Sequence, residues 1–208
     1  VKGRLILFLM HGRSYNTFTY QCLACTIEAM DFSHHPNARP GPLIVDAGSE
    51  HVAAIQQIYA HYVQNSICTM EEVAPTVAEM HRRHDALRRE GLPWLVALDG
   101  TDVLGYAYAG RYRSRVGYAG TLETSIYLGN KHQGRGLGQA LLRALIEACA
   151  QFGARQMVAV IVDDEGTVGS VRLHQRFGFQ HAGLFCAVGS KFGRDVDTIL
   201  MQRSLVAP

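Results

Sequence analysis

Between Leu122 and Phe152 the chain passes from a β-type run, through a loop with glycines at alternate positions, into a long helical pattern, and no other stretch limits the fold as tightly. The loop is Gln133-Gly134-Arg135-Gly136-Leu137-Gly138, and Leu137, Leu141, Ala144, Leu145, Ala148 and Phe152 then recur at helical spacing. The first turn of a helix leaves backbone N–H groups without partners and carries a partial positive charge. A loop without Cβ atoms at that point lets a phosphate approach within hydrogen-bonding distance. Glycine also marks ordinary solvated turns, so the rest of the chain has to decide.

Two glycine motifs are excluded first. A nucleotide-triphosphate P-loop needs Lys followed by Ser or Thr after its last glycine, and Gly138 is followed by Gln139-Ala140. A dinucleotide fingerprint needs G-x-G-x-x-G and an acidic residue at the end of the next strand. Here the glycines alternate, and the next acidic candidate is Asp163.

The 208 residues suit one domain, with 48% hydrophobic and 18% charged residues. A net charge of +2 is too mild to argue for nucleic acid, and no apolar run approaches the ~18 residues of a membrane span. The cluster His81-Arg82-Arg83-His84 with Arg88-Arg89 reads as a solvated helix face. Five cysteines without framework spacing favour reduced thiols in a cytoplasm. Cys22 and Cys25 with His34 and His35 lack the spacing of a structural zinc site, and no metal is expected. Leu5–Met10 is too short and lacks the cleavage site of an export signal. Pro36, Pro40, Gly41 and Pro42 mark a linker, which divides an N-terminal extension, residues 1–41, from a catalytic domain, residues 42–208.

Within that domain the patterns run in order. Leu43-Ile44-Val45 is a short strand, Ser49 caps a helix carrying Val52, Ile55, Tyr59 and Tyr62 to about Asn65, and Pro75 opens a second helix with Val77, Met80, His84 and Leu87 on one face. Pro93 to Leu98 and Val103 to Ala109 form a hairpin about Asp99-Gly100, and Tyr118 to Leu128 is a long strand. Beyond the loop and its helix, Gln156 to Val162 is a continuously apolar strand, expected to pair in parallel with the strand before the loop because a helical crossover joins them. A helix over Val168–Phe177 and a closing antiparallel pair, Ala182–Val188 and Val196–Gln202, complete the chain. The expectation is an α/β, mixed α+β fold, with a mostly antiparallel mixed sheet, a central parallel strand pair and helices on both faces.

Gln133 through Gly138 after the strand ending Ser125-Ile126-Tyr127-Leu128 resembles the acetyl-coenzyme A pyrophosphate loop of GNAT-type N-acetyltransferases, and the element order is that of the GNAT fold. Leu92–Ala97, Gly105–Gly110, Val171-Arg172-Leu173-His174 and Gly189–Arg194 further resemble motifs of the phosphinothricin and methionine sulfoximine N-acetyltransferases, in the same order. The resemblance implies transfer of an acetyl group from acetyl-CoA to the amine of a small amino-acid-like substrate, in a cytoplasmic homodimer, with no metal, membrane or nucleic acid. It implies that Ile126, Tyr127 and Leu128 pair with the pantetheine arm. Gly134, Arg135, Gly136, Leu137 and Gly138 would receive the pyrophosphate, and Gln133, Gln139, Thr167 and Ser170 would bind further parts of the cofactor. Thr167 stands where the family has asparagine, and Met70 where it has an aromatic residue beside the substrate. The alternatives are acetylation of another amine, such as a polyamine or a peptide N-terminus, or a non-catalytic acyl-CoA sensor.

The residues support the chemistry independently. An α-ammonium group must lose a proton before it attacks a thioester. Glu123 shares one strand face with Ser125 and Tyr127, and burial of its carboxyl in an apolar strand raises its pKa toward that of a working base. Glu123 also matches the family's catalytic glutamate; the plainer reading pairs it with Arg113 or Arg115. Those two arginines and Tyr118 are substrate candidates, together with Met70 and Tyr127, since guanidinium forks suit a carboxylate or phosphinate; a solvated basic loop is the alternative. His174 is either a packed core histidine or a second catalytic group beside the thioester.

Overall fold

The computed structural model describes residues 42–206, so the N-terminal extension and its Cys22, Cys25, His34 and His35 lie outside the described residues. The element order is β1 (Leu43–Asp46), α1 (Val52–Asn65), α2 (Val77–Arg89), β2 (Trp94–Asp99), β3 (Asp102–Arg111), β4 (Thr121–Leu128), α3 (Leu137–Phe152), β5 (Gln156–Val162), α4 (Val168–Arg176), β6 (Gln180–Lys191) and β7 (Arg194–Ser204). The strands form one seven-stranded sheet in the order β1-β2-β3-β4-β5-β7-β6. Every neighbouring pair is antiparallel except β4 and β5, which are joined by the α3 crossover and pair in parallel.

Strand alternation divides the core between the two faces. Leu95, Ala97, Ala107, Leu122, Met157 and Ala159 pack with Leu141, Leu142 and Leu145 of α3, and Val171 and Leu173 of α4 lean on the same cluster. On the opposite face Trp94, Val96 and Tyr106 pack with Val52, Ile55, Tyr59 and Val63 of α1 and Met80 of α2. The continuous apolar run of β2 follows from this, because that strand is covered on both sides. Strand β5 is not: Met157, Ala159 and Ile161 face α3 while Val160 on the other face is exposed, so its apolar run does not mark a strand covered twice.

Several boundaries differ from the sequence reading, each for a local reason. Ser49 begins a single 3-10 turn, and α1 starts at Val52. Thr76, one residue after Pro75, is the true cap of α2, its hydroxyl accepting the Glu79 N–H at 3.1 Å. Val116–Tyr118 makes a 3-10 turn, so β4 begins at Thr121 rather than Tyr118. The last hairpin is longer than its hydrophobic pattern because two bulges in β6 break the alternation on which that pattern depends. Among the basic residues of α2, His84 is buried, with Nε2 2.8 Å from the Ala47 carbonyl, and Arg83 forks onto Glu71; that face is only partly solvated.

Candidate active site

The parallel ladder between β4 and β5 is short. It runs from Thr121–Gln156 through Leu122–Met157 to Glu123–Val158 and stops there. Past this rung the two strands flank a cleft of about 550 Å³, lined by Thr124–Leu128, by Ala159–Val162, by glycines 134, 136 and 138 of the loop, and by residues of α4. Gly134 and Gly136 have φ of +75° and +79°. A Cβ at either would touch nothing within 4 Å, so it is backbone conformation rather than crowding that calls for glycine. Gly138 differs: a Cβ there would lie 3.3 Å from Leu173 Cδ2 and 3.7 Å from Leu128 Cδ1. The first intrahelical bonds of α3 run from the Gln139 and Ala140 N–H groups to the Gly136 carbonyl, at 3.0 and 3.2 Å. The amides of Leu137 and Gly138 therefore stand free at the positive end of a 16-residue helix. This cradle fits the diphosphate of a nucleotide-like cofactor.

Most residues expected at a cofactor site converge on this cleft: Ile126, Tyr127, Leu128, Gln133, Gly134, Gly136, Gly138, Gln139, Thr167, Ser170 and His174 line it. The Leu137 side chain instead enters the core, and Arg135 is exposed; neither lines the cleft. Thr167 is a further departure in detail. Its hydroxyl accepts the Asp164 N–H at 3.2 Å and faces the carbonyls of Val162 and Asp164, so it closes its own turn rather than reaching into the cleft.

Tyr62, read in the sequence only as an apolar helix position, is part of the site. Its hydroxyl donates to the Leu128 carbonyl at 2.7 Å and accepts from Gln133 Nε2 at 3.2 Å, tying α1 to the end of β4 and to the loop. A tyrosine on a buried helix face needs such a partner, which was the available signal. Arg172 and Arg176, one helical turn apart on α4, also line the cleft and were missed.

Glu123 occupies the last rung of the parallel ladder. Its carboxyl is half-buried, burial raises its pKa above the ordinary carboxylate range, and no hydrogen bond or ion pair to it occurs among the described residues. The pairing with Arg113 or Arg115 is not formed. Gly110 is its partner across β3 and β4, and a Cβ on Gly110 would meet nothing within 4 Å, so space is left beside the carboxylate.

His174 lies across the strand from this group. It is buried, its Nδ1 is 2.8 Å from the Ser170 carbonyl, and its Nε2 is 3.5 Å from the Thr124 hydroxyl. Thr124 and Glu123 are successive residues of β4, so they point to opposite faces. Burial lowers the His174 pKa and favours the neutral ring, with Nδ1–H donating and Nε2 free to accept. The two residues expected to be catalytic thus sit on opposite faces of one strand.

The acceptor-side candidates are spread over two loops and strand β4. Arg113, Arg115 and Tyr118 are exposed, with the Arg113 guanidinium 5.1 Å from the centroid of the Tyr112 ring and 6.0 Å from that of Tyr118. Met70 lies on the loop between α1 and α2, 40% exposed. Tyr127 packs edge-on against Tyr59 and Tyr62, at 5.2 and 5.3 Å, on the same face as Glu123.

Residues 52–179 match the family model described as Acetyltransferase (GNAT) family. A phosphinothricin N-acetyltransferase of Alcaligenes faecalis is 46% identical over 154 residues, which cover 74% of this chain and 78% of that one. This chain belongs to the GNAT acetyltransferase family. Among its relatives in that family, an L-methionine sulfoximine/L-methionine sulfone acetyltransferase of Pseudomonas paraeruginosa is 40% identical, with 78% of this chain and 94% of that one covered. A crystal structure of a GNAT superfamily phosphinothricin acetyltransferase from Sinorhizobium meliloti in complex with AcCoA superposes with a TM-score of 0.75 at 40% identity, covering 79% of this chain and 89% of that one. The chain is an acetyltransferase, and the mixed sheet with its one parallel pair is the GNAT fold. Among the described residues no group of His, Cys, Asp and Glu could hold a metal ion, and no helix is long and apolar enough to cross a membrane.

Proposed function

We propose that this acetyltransferase transfers the acetyl group of acetyl-CoA to the α-amine of a small amino-acid-like substrate of the phosphinothricin, methionine sulfoximine or methionine sulfone type. Acetyl-CoA, when bound, would supply an activated thioester: the amine nitrogen bonds to the acyl carbon, the carbon–sulfur bond breaks, and the second proton lost from that nitrogen goes to the leaving sulfur, so that coenzyme A departs as the thiol. The unpaired, half-buried carboxyl of Glu123, at the rung where β4 leaves β5, carries the proposal.

On this reading Glu123 takes the proton of the substrate ammonium, directly or through one water, in the space left by Gly110. The backbone of Ile126, Tyr127 and Leu128 holds the pantetheine arm, and a free N–H of this strand faces the developing oxyanion. The amides of residues 134–138 take the pyrophosphate, Arg135 adds charge, and Gln133, Gln139, Thr167 and Ser170 line the remaining wall. His174, neutral and fixed by Ser170, orients the Thr124 hydroxyl on the cofactor face. Arg113, Arg115, Tyr118 and Met70 enclose the acceptor, the arginines pairing with its carboxylate or phosphinate.

The catalytic domain is residues 42–208, and the enzyme works as a cytoplasmic homodimer. The free thiols of Cys68, Cys149 and Cys186 suit a reducing compartment, and exposed Leu184, Phe185 and Val188 on the edge strand β6 suit cover by a second copy.

Glu123→Gln tests the chemistry. Thiol release from acetyl-CoA should fall at least ~100-fold with phosphinothricin, methionine sulfoximine and methionine sulfone as acceptors, while acetyl-CoA affinity by calorimetry stays within about threefold. A wild-type protein that releases no amine-dependent thiol over this panel would sink the substrate class, and unchanged turnover in Glu123→Gln would remove the base.

A further inference from the structure

Gly189-Ser190-Lys191-Phe192-Gly193-Arg194, which ends β6, turns at Phe192-Gly193 and opens β7, has no part in the transfer described above. It nevertheless holds the one Lys, Arg, Asp or Glu side chain that is buried among the described residues: Lys191 is 1% exposed. Its Nζ donates to the Thr69 carbonyl at 2.6 Å, across 122 positions of sequence, and lies 5.1 Å from the centroid of the Phe192 ring. No carboxylate pairs with it among the described residues; Glu71 and Glu72 act on it only from a longer distance. Burying an ammonium costs desolvation that a methionine of similar length would avoid. What the lysine adds is a directed donor, and it is aimed at the loop between α1 and α2.

That loop is held on either side of Met70. The Thr69 hydroxyl lies 2.9 Å from the Tyr59 hydroxyl. Glu71 accepts from Tyr59 at 2.8 Å and from the Arg83 fork at 2.7 and 3.1 Å. Met70 itself rests on β6: a Cβ on Gly189 would come within 2.7 Å of its Sδ. Gly189 takes this place because the second bulge of β6 lies between Phe185 and Gly189 and resets the register. The hairpin therefore meets the loop twice, at the Thr69 carbonyl and at the Met70 sulfur.

We propose that Lys191 is a positioning residue that sets acceptor specificity: by holding the Thr69 carbonyl it locks Met70 onto Gly189, and the wall so fixed limits the size of the amine's side chain. This rests on the reading above that Met70 borders the acceptor. The lock favours acceptors with slender, unbranched polar side chains over bulky aromatic ones, because a fixed thioether cannot swing aside.

Lys191→Met and Gly189→Ala test it from both ends. In Lys191→Met, the KM for methionine sulfone should rise at least tenfold, the kcat/KM ratio of methionine sulfone to phenylalanine should shrink at least tenfold, and acetyl-CoA affinity should stay within about twofold. Amide hydrogen exchange over residues 66–74 should quicken at least tenfold while that of α3 is unchanged. Gly189→Ala keeps the lysine but displaces Met70, so it should also shift the ratio, and in a Met70→Ala background, itself shifted, it should add no further change. Gly189→Ala and its combination with Met70→Ala decide the matter even if Lys191→Met does not fold. The proposal is overturned if the acceptor ratio stays at its wild-type value in these variants, or if Lys191→Met lowers kcat/KM for every amine by one common factor and leaves loop exchange unchanged. If the wild type acetylates no amine, the acceptor reading fails, and loop exchange in Lys191→Met still decides whether the lysine holds the loop.

Discussion

Burial acts on Glu123 and His174 in opposite directions on the pKa scale, and in both it favours the uncharged form. For Glu123 the folded pKa lies above the unfolded one. The folded state therefore pays a penalty that appears as pH rises through the ordinary carboxylate range toward the raised value, and that persists above it. Glu123→Gln should accordingly melt higher than wild type at pH 8, by ~2–4 °C for each kcal/mol of penalty removed, with the gap closing near pH 4. The same residue should make kcat/KM for the amine rise with pH through an inflection above the usual carboxylate range. For His174 the folded pKa lies below the unfolded one, so its contribution is full above about pH 6.5 and is lost as pH falls from there toward the depressed value. His174→Phe should flatten the stability profile over that window. It should also cost about 1–3 kcal/mol in urea unfolding at pH 8, because the Ser170 carbonyl and the Thr124 hydroxyl lose their partner. Turnover should fall less than in Glu123→Gln.

At the scale of elements, the start of α3 joins fold to site. Gly136 caps the helix with φ +79°, a conformation that costs an L-residue about 1–2 kcal/mol. Gly136→Ala should lower stability by roughly that amount in denaturant titration and weaken acetyl-CoA binding at least ~10-fold, since the amides of the cradle turn with it. This loop was legible in sequence because glycine has few reasons to alternate before a helical repeat, and the order of elements followed from local periodicity. The parity of β4 placed Glu123, Ser125 and Tyr127 on one face. The same parity put Thr124, and with it His174, on the other, a consequence that needs the partner helix to be seen. What could not be read were contacts between distant segments: the Tyr62 hydroxyl on Leu128, Lys191 on Thr69, and Met70 on Gly189. The bulges that place Gly189 leave no local mark in the hydrophobic pattern, and the 3-10 turn at Val116–Tyr118 interrupts a run whose composition is that of a strand.

For the molecule as a whole, the sheet of the described residues is complete from Leu43 onward, and its edge strand β6 carries exposed Leu184, Phe185 and Val188. A chain starting at Pro42 should therefore fold and acetylate at a kcat/KM within about threefold of the full chain. Sedimentation equilibrium of the full chain should give twice its 22.9 kDa mass, and Phe185→Glu should shift this toward the monomer. The β4–β5 ladder stops at Glu123 and Val158, and on the proposed function the donor would meet mainly main-chain N–H and C=O groups, which every residue type carries. The acceptor would meet side chains. Donor recognition is thus indifferent to many substitutions while acceptor recognition is written in residues that a single codon can change, so directed evolution toward new amines should advance through residues 66–74, 111–118 and 189–192 without forfeiting the cofactor.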